Sequence, residues 1–386
     1  MKNIAIFGST GSIGQNTLEV IRGLKNQFRV VALTANSNIE LLYRQIKSFR
    51  PSVVCVKDRQ LARSLRRRLG SSDLNILVGE IGLEELAGYK GIDQIVMAIS
   101  GSGALKPLLS AIENCKTIAL ANKEALVMAG ALIMQRACVK KARIIPVDSE
   151  QSAIWQCLEG EDKSRVRSIY LTASGGPFFN TPKEKLKHVS VAKVLEHPRW
   201  RMGKKISVDS ATLINKGLEL LEAMYLFDIS AQKIKVLIHP QAIVHSMVEF
   251  VDGVVMAELS ATDMRIPIQY ALSYPKRLLS KLKPLDFYKL KELDFRPPDF
   301  VKFPCLRLAY QVAEEGGTAP SVLNAADEVA VAEFLKGKIA FLGIPKLIEK
   351  VLSRHRNKNN PGLSDIFLAD RWAREESAAI LEKGVK

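Results

Sequence analysis

The sequence predicts an α/β protein: a doubly wound parallel sheet at the N-terminus, an α+β domain after it, and a helical domain at the C-terminus. Three observations carry this. Up to residue 148, short β-branched runs alternate with helical patterns. From about 150 to 275, turn clusters and a hairpin pattern replace that alternation. After 300 the apolar period is almost wholly helical.

In chain order, the runs KNIAIFG, FRVVALTA, SVVCV, LNILVG, DQIVMAIS, KTIALA and ARIIPVD are each followed by loop or helix signals. Strands separated by helices imply parallel pairing, so residues 1–149 are read as one domain. Residues 150–275 hold the turns SGGPF and HPRWRMG, the helix INKGLELLEAMYLF, and VEFVDGVVMAEL, whose central DG marks a hairpin. Residues 276–300 are rich in charge and proline and read as a linker. Residues 301–386 give helices at CLRLAYQVAEE, NAADEVAVAEFL and PKLIEKVL, and then SDIFLADRWAREESAAIL, capped by Ser364.

Composition narrows the function. At 386 residues, 47% hydrophobic and 25% charged, the chain is an ordinary globular protein with room for two or three cores. Its longest uncharged apolar stretch, ALVMAGALIM at 125–134, is too short to span a bilayer, and MKNIAIFGST enters a strand directly. The expectation is a cytoplasmic protein with no membrane partner. Cys55, Cys115, Cys138, Cys157 and Cys305 are scattered without a C-x-x-C pair, so they read as small buried hydrophobes rather than disulfides or zinc ligands. The net charge of +16 is spread along the chain. Its densest cluster, RSLRRRLG at 63–70, reads as the solvated face of a helix, which favours anionic small molecules over nucleic acid.

The first strand runs into GSTGSIG, placing Gly8, Gly11 and Gly14 at G-x-x-G-x-x-G spacing. Such a loop lets backbone approach a pyrophosphate, whose charge then sits at the next helix N-terminus. At this position in an α/β series it predicts a Rossmann-type dinucleotide site. The second strand ends in Asn36-Ser37-Asn38, without the acid that would hold both ribose hydroxyls of NAD. NADP is therefore preferred.

The seventh run ends in Asp148-Ser149-Glu150, where open α/β sheets bind ligands. One of these residues can cap the following helix, which leaves the other carboxylate for a different task. In SVDSATLINKGLELLE, Asp209 or Ser210 can cap, and Asn215, Lys216 and Glu219 then share a helical face. That face could serve a polar substrate or a metal; Lys216 and Glu219 could equally form an exposed ion pair. Three carboxylates without cysteine or histidine partners would suit Mg²⁺ or Mn²⁺. SGGP at 174–177 could present amides to an anion, and HPRWRMG at 197–203 could be a lid or a surface loop.

GSTGSIG, ANKEALV, PVDSE, SGGPF, HPRWRMGKKISVDSATLINKGLE, HPQAIVHSMVEF and LNAADEVAVAEFL occur in one order along nearly the whole chain. In this the sequence closely resembles the 1-deoxy-D-xylulose 5-phosphate reductoisomerase family. The resemblance implies an NADP-dependent oxidoreductase. It would convert a small phosphorylated sugar, 1-deoxy-D-xylulose 5-phosphate, to 2-C-methyl-D-erythritol 4-phosphate in non-mevalonate isoprenoid synthesis. NADPH would be the reductant, with Mg²⁺, Mn²⁺ or Co²⁺ as the cation and a homodimer as the assembly.

By the same resemblance the metal ligands fall on Asp148, Glu150 and Glu219, with Lys123 and Lys216 beside them as catalytic groups. Substrate contacts fall on Lys123, Ser149, Glu150, Ser174, His197, Ser210, Asn215, Lys216 and Glu219. Cofactor contacts fall on Thr10, Gly11, Ser12, Ile13, Asn36, Ser37, Asn38, Asn122, Glu124 and Gly203. Trp200 and Met202 match a lid. The chain departs from the family where a glycine and a basic or small polar residue commonly follow the second strand, having Asn36-Ser37 instead.

Overall fold

A computed structural model describes residues 1–114, 117–196 and 203–384. The chain divides into two compact units, residues 1–125, 133–152 and 263–283 in the first and 126–132, 153–262 and 284–386 in the second.

The first unit is the doubly wound domain. In chain order it contains β1 (Lys2–Phe7), α1 (Ser12–Gly23), β2 (Phe28–Ala35), α2 (Ile39–Phe49), β3 (Val53–Val56), α3 (Arg59–Leu69), β4 (Asn75–Val78), α4 (Gly79–Ala87), β5 (Gln94–Met97), α5 (Leu105–Asn114), β6 (Thr117–Leu120), the ends of α6 (Glu124–Lys140), β7 (Arg143–Pro146) and the start of α7 (Ser149–Cys157). All seven expected strands form, all parallel, in the order β4-β3-β2-β1-β5-β6-β7. Every residue of β3 and β5 is buried, which is why these strands read as unbroken apolar runs without alternation. Helix α3 buries Ala62 and Leu65 and leaves Arg63, Arg66, Arg67 and Arg68 exposed. The basic cluster is thus the solvated face of an amphipathic helix. Arg68 there pairs with Glu40 and lies 4.0 Å over the Tyr43 ring.

The second unit holds β8 (Val166–Ala173), α8 (Val191–Leu195), α9 (Lys204–Thr212), α10 (Ile214–Phe227), β9 (Ile234–Ile238), β10 (Val244–Phe250) and β11 (Val255–Leu259). Its sheet runs β11-β10-β8-β9, with β8 and β9 parallel and the other pairs antiparallel. The hairpin expected at Asp252-Gly253 joins β10 to β11, and Phe250 N–H donates to the Val254 carbonyl at 2.9 Å. After α11 (Arg265–Ser273), the chain ends in α12 (Pro304–Glu315), α13 (Ala319–Leu335), α14 (Gly343–Arg354) and α15 (Leu363–Glu382).

Four expectations change. Residues 263–283, assigned from sequence to the second domain and linker, pack with the first unit. Ile268, Ala271 and Leu272 of α11 complete a core with Leu18 and Ile21 of α1 and the strand residues Ile4 and Ile6. Burying Ile268 and Leu272 contributes roughly 3–6 kcal/mol at about 1.5–3 kcal/mol each. Asp209 and Ser210 are not caps: they lie within α9, and the break before α10 is at Leu213, left-handed at φ 59°. Ser364 lies inside α15, which begins after Gly362, whose N–H donates to Asp365 Oδ2 at 2.9 Å. Cys55, Cys157 and Cys305 are buried as expected, but Cys138 is exposed on the outer face of α6 near its C-terminus; Cys115 lies outside the described residues.

Candidate functional site

The glycine loop is built by strand–helix proximity. Gly8 N–H donates to Thr34 Oγ1 at 2.8 Å, and Ser9 N–H to the Thr34 carbonyl at 2.9 Å, so the loop is anchored to the end of β2. Ser9 Oγ donates to Gln45 Oε1 at 2.7 Å, and Gln45 Nε2 returns a bond to the Ser9 carbonyl at 2.9 Å. A Cβ at Gly14 would collide with the Gly8 carbonyl oxygen and lie 2.5 Å from Ser9 Cα, so only glycine lets α1 start this close to β1. Thr10, Gly11, Ser12 and Ile13 form the turn above it, with Gly11 and Ser12 exposed at the opening of α1. Such a cradle fits a pyrophosphate.

Asn36, Ser37 and Asn38 follow β2 and are all exposed. Asn38 is the N-cap of α2, its side chain accepting from Leu41 N–H at 3.0 Å. Asn122, after β6, is buried. Its Nδ2 donates to the carbonyls of Ile99 and Gly101, at 2.9 and 3.0 Å, and to Glu124 Oε2 at 2.8 Å. Asn122 and Glu124 therefore fix the loop after β5 against the start of α6.

At the end of β7, Asp148 does two jobs. Its Oδ1 accepts from Glu150 N–H at 3.3 Å, helping to open α7, and its Oδ2 lies 2.6 Å from the buried Lys123 ammonium. Cap and charge site coincide in one residue. Ser149 Oγ donates to Glu150 Oε2 at 2.6 Å, which orients the second carboxylate.

In the second unit, Ser174 follows β8 and accepts from Gly176 N–H at 3.4 Å. Gly176 is left-handed at φ +68°, and a Cβ there would lie 2.7 Å from the Ser210 carbonyl oxygen. The Ser-Gly-Gly turn thus packs directly on α9, bringing the Ser174 and Ser210 segments together. Past the Leu213 bend, α10 carries Asn215, Lys216 and Glu219. Lys216 and Glu219 are buried and paired, and Asn215 Nδ2 donates to Glu219 Oε1 at 2.5 Å. This is not the exposed decoration that spacing allowed. On the same helix Gly217 sets α10 close against α12, where a Cβ would strike Ala309.

Asp148 and Glu150 of the first unit and Glu219 of the second each offer carboxylate oxygens. Carboxylate oxygens without cysteine or histidine partners are the donor type that suits a hard divalent cation. Gly203 is the N-cap of α9, its carbonyl accepting from Ser207 Oγ at 3.0 Å. His197, Trp200 and Met202 lie outside the described residues.

Sequence reasoning missed a second charged cluster: Lys205 and Asp209 of α9 with Asp327 of α13. The available signal was Asp327 itself, a carboxylate four residues from both Leu323 and Val331 and so on the apolar face of LNAADEVAVAEFL.

Models of the family match three stretches of the chain: 1-deoxy-D-xylulose 5-phosphate reductoisomerase at residues 4–130, its C-terminal domain at 144–227, and a further DXP reductoisomerase C-terminal domain at 259–376. A relative of that name from Caldanaerobacter subterraneus subsp. tengcongensis is 54% identical over 376 residues, spanning 97% of this chain and 98% of its own. Another, from Thermoanaerobacter pseudethanolicus, is 51% identical over 379 residues, with 98% and 99% covered. Among solved structures, the Zymomonas mobilis reductoisomerase in complex with NADPH superposes with a TM-score of 0.92 at 41% identity, covering 99% of each chain. A DOX-P reductoisomerase in complex with NADPH, fosmidomycin and magnesium gives 0.93 at 39%, covering 99% of this chain and 98% of that one. With identity sustained from end to end and all three family models matched in order, the chain belongs to the 1-deoxy-D-xylulose 5-phosphate reductoisomerase family.

Proposed function

We propose that the protein converts 1-deoxy-D-xylulose 5-phosphate to 2-C-methyl-D-erythritol 4-phosphate, using NADPH and a divalent cation, in non-mevalonate isoprenoid precursor synthesis. The observation that carries this reading is the identity with reductoisomerases sustained along the whole chain, with Asp148 and Glu150 after β7 and Glu219 on α10 as the carboxylates for the cation. A Mg²⁺ or Mn²⁺ ion held there would supply Lewis acidity and a template for a ketone and its neighbouring hydroxyl. NADPH would supply the hydride that reduces the rearranged aldehyde.

The chain's own groups do the rest. Lys123 and Lys216, each already set against a carboxylate, place positive charge where substrate oxygens develop negative charge. Ser174, Ser210, Asn215 and Lys216 offer donors to the substrate phosphate, and Ser149 holds Glu150 in orientation. Residues 10–13 receive the cofactor pyrophosphate at the start of α1. Asn36 and Ser37 receive its ribose end without the acid that would repel a 2′-phosphate. Asn122 and Glu124 shape the loop beside it.

A homodimer is part of the proposal. β11 is an edge strand whose Val255 and Met256 are 49% and 38% exposed, with Val254 just before it 54% exposed, and such an edge is a template for pairing with a second copy. Val255→Lys should shift the molar mass in light scattering from dimer toward monomer. No helix among the described residues is long and apolar enough to cross a membrane, and we place the enzyme in the cytoplasm.

The test is loss of NADPH absorbance with purified protein and 1-deoxy-D-xylulose 5-phosphate, run with Mn²⁺, with EDTA, and with NADH replacing NADPH. Loss that requires both substrate and cation supports the reading. Cation-independent loss, or none, would sink it.

A further inference from the structure

We infer that Lys205 is a positioning residue for the phosphate-binding side of the site, acting through Asp209 and Asp327. Its ammonium lies 2.6 Å from Asp209 Oδ2 and 2.8 Å from Asp327 Oδ2, tying α9 to α13. The Asp209 and Asp327 side chains are 3% and 0% exposed, whereas Lys205 keeps 29% of its surface. Two buried carboxylates thus converge on one ammonium. Their field reaches Cys305 as well: burial first, and then Asp327 and Asp209, push that thiol well above its usual range.

Helix α9 needs such a clamp. Its sequence, KKISVDSAT, is nine residues long and rich in β-branched, serine and aspartate positions, all weak helix formers. It starts at Gly203 without a side-chain cap and ends at the left-handed Leu213. A helix this short has little intrinsic stability, so tertiary contacts set its direction. Asp209 immediately precedes Ser210, whose carbonyl faces Gly176 of the Ser174 turn, and the Leu213 bend leads into Asn215 and Lys216. Fixing α9 at Lys205 therefore fixes Ser210 relative to Ser174 and to the start of α10. A buried ion pair of this kind is better suited to specifying one geometry than to adding stability.

The inference rests on the phosphate role proposed above, and inorganic phosphate is the probe. In the full-length enzyme, Lys205→Met should raise KM for 1-deoxy-D-xylulose 5-phosphate and the competitive inhibition constant of inorganic phosphate together, by about tenfold, since misplacement of a binding group by about 1 Å costs up to ~100-fold. KM for NADPH should stay within about twofold and Lys205→Arg should restore most of the loss, because only the clamp's geometry has changed. Asp327→Asn, which keeps the Lys205–Asp209 pair, should move the same two constants in the same direction. A merely structural role would lower the melting temperature or kcat and leave both constants alone. That outcome in folded Lys205→Met overturns the inference; if this variant does not fold, unchanged constants in Asp327→Asn overturn it. A parent enzyme that turns over substrate but is not competitively inhibited by phosphate overturns the phosphate role and the inference with it. A parent with no turnover overturns the functional reading itself.

Discussion

Replacing Lys216 by methionine keeps the length of the side chain and removes its charge. In the native structure the ammonium contacts Glu219 where both groups are almost wholly buried, with 4% and 2% of their side chains exposed. A contact pair of this kind interacts by about 4 kcal/mol at an effective dielectric of about 20. Removing one partner of a buried pair costs about 3–5 kcal/mol, mostly through the charge left behind. Lys216 lies in the unit of roughly 220 residues, for which each kcal/mol moves the midpoint by about 2–4 °C. Lys216→Met should therefore lower the apparent Tm in EDTA by about 6–20 °C.

The same argument fixes what a cation should do. Mn²⁺ binding near Glu219 replaces part of the lost neutralisation, so the rise in Tm on adding saturating Mn²⁺ should be larger for the variant than for the parent. Differential scanning fluorimetry with and without Mn²⁺ reads both quantities. An unshifted Tm in EDTA, or a Mn²⁺ increment no larger than the parent's, would refute the view that Lys216 neutralises a buried metal-site carboxylate.

Gly14→Ala should weaken NADPH binding by more than about tenfold in a fluorescence titration, since the added Cβ meets backbone on two sides; unchanged affinity would remove the glycine loop from the cofactor site. Gly176→Ala forces a left-handed alanine, costing about 1–2 kcal/mol, and pushes against the Ser210 carbonyl. KM for the sugar phosphate should rise with that for NADPH unchanged. His355 Nε2 lies 2.8 Å from Thr318 Oγ1, whose oxygen also accepts from Lys358 N–H at 3.1 Å, and burial holds the imidazole pKa below its usual value. The unfolded chain then binds the proton more readily than the folded one. Stability should be full above about pH 6.5 and decline as pH falls through the unfolded value, and His355→Asn should flatten that decline in urea titrations.

The sheet was legible because its code is local. Each parallel strand is a short apolar run that can be read without knowing its neighbours, and the Asp252-Gly253 hairpin carries its own turn residues. The glycine loop and the strand-end pair Asp148 and Glu150 were legible for the same reason. What escaped depends on distant packing. Nothing in INKGLELLE states that Lys216 and Glu219 are buried, or that Gly217 meets Ala309 far along the chain. The helix break at Leu213 has neither glycine nor proline to announce it. Lys205 and Asp327 are 122 positions apart, and no period connects them.

The return of α11 to the first unit bears on how the protein is made. Gln94 Nε2 donates to the Ala271 carbonyl at 2.8 Å and Lys2 Nζ to the Leu272 carbonyl at 2.7 Å, so the first strand and the middle of the sheet are closed by residues translated some 180–270 positions later. On the ribosome the N-terminal sheet emerges long before the helix that covers it. Domains completed early in synthesis can fold vectorially; this one must wait, its apolar flank uncovered, until almost three quarters of the polypeptide has left the exit tunnel. A fragment ending at residue 152 should accordingly be insoluble, and adding residues 263–283 in trans should recover it.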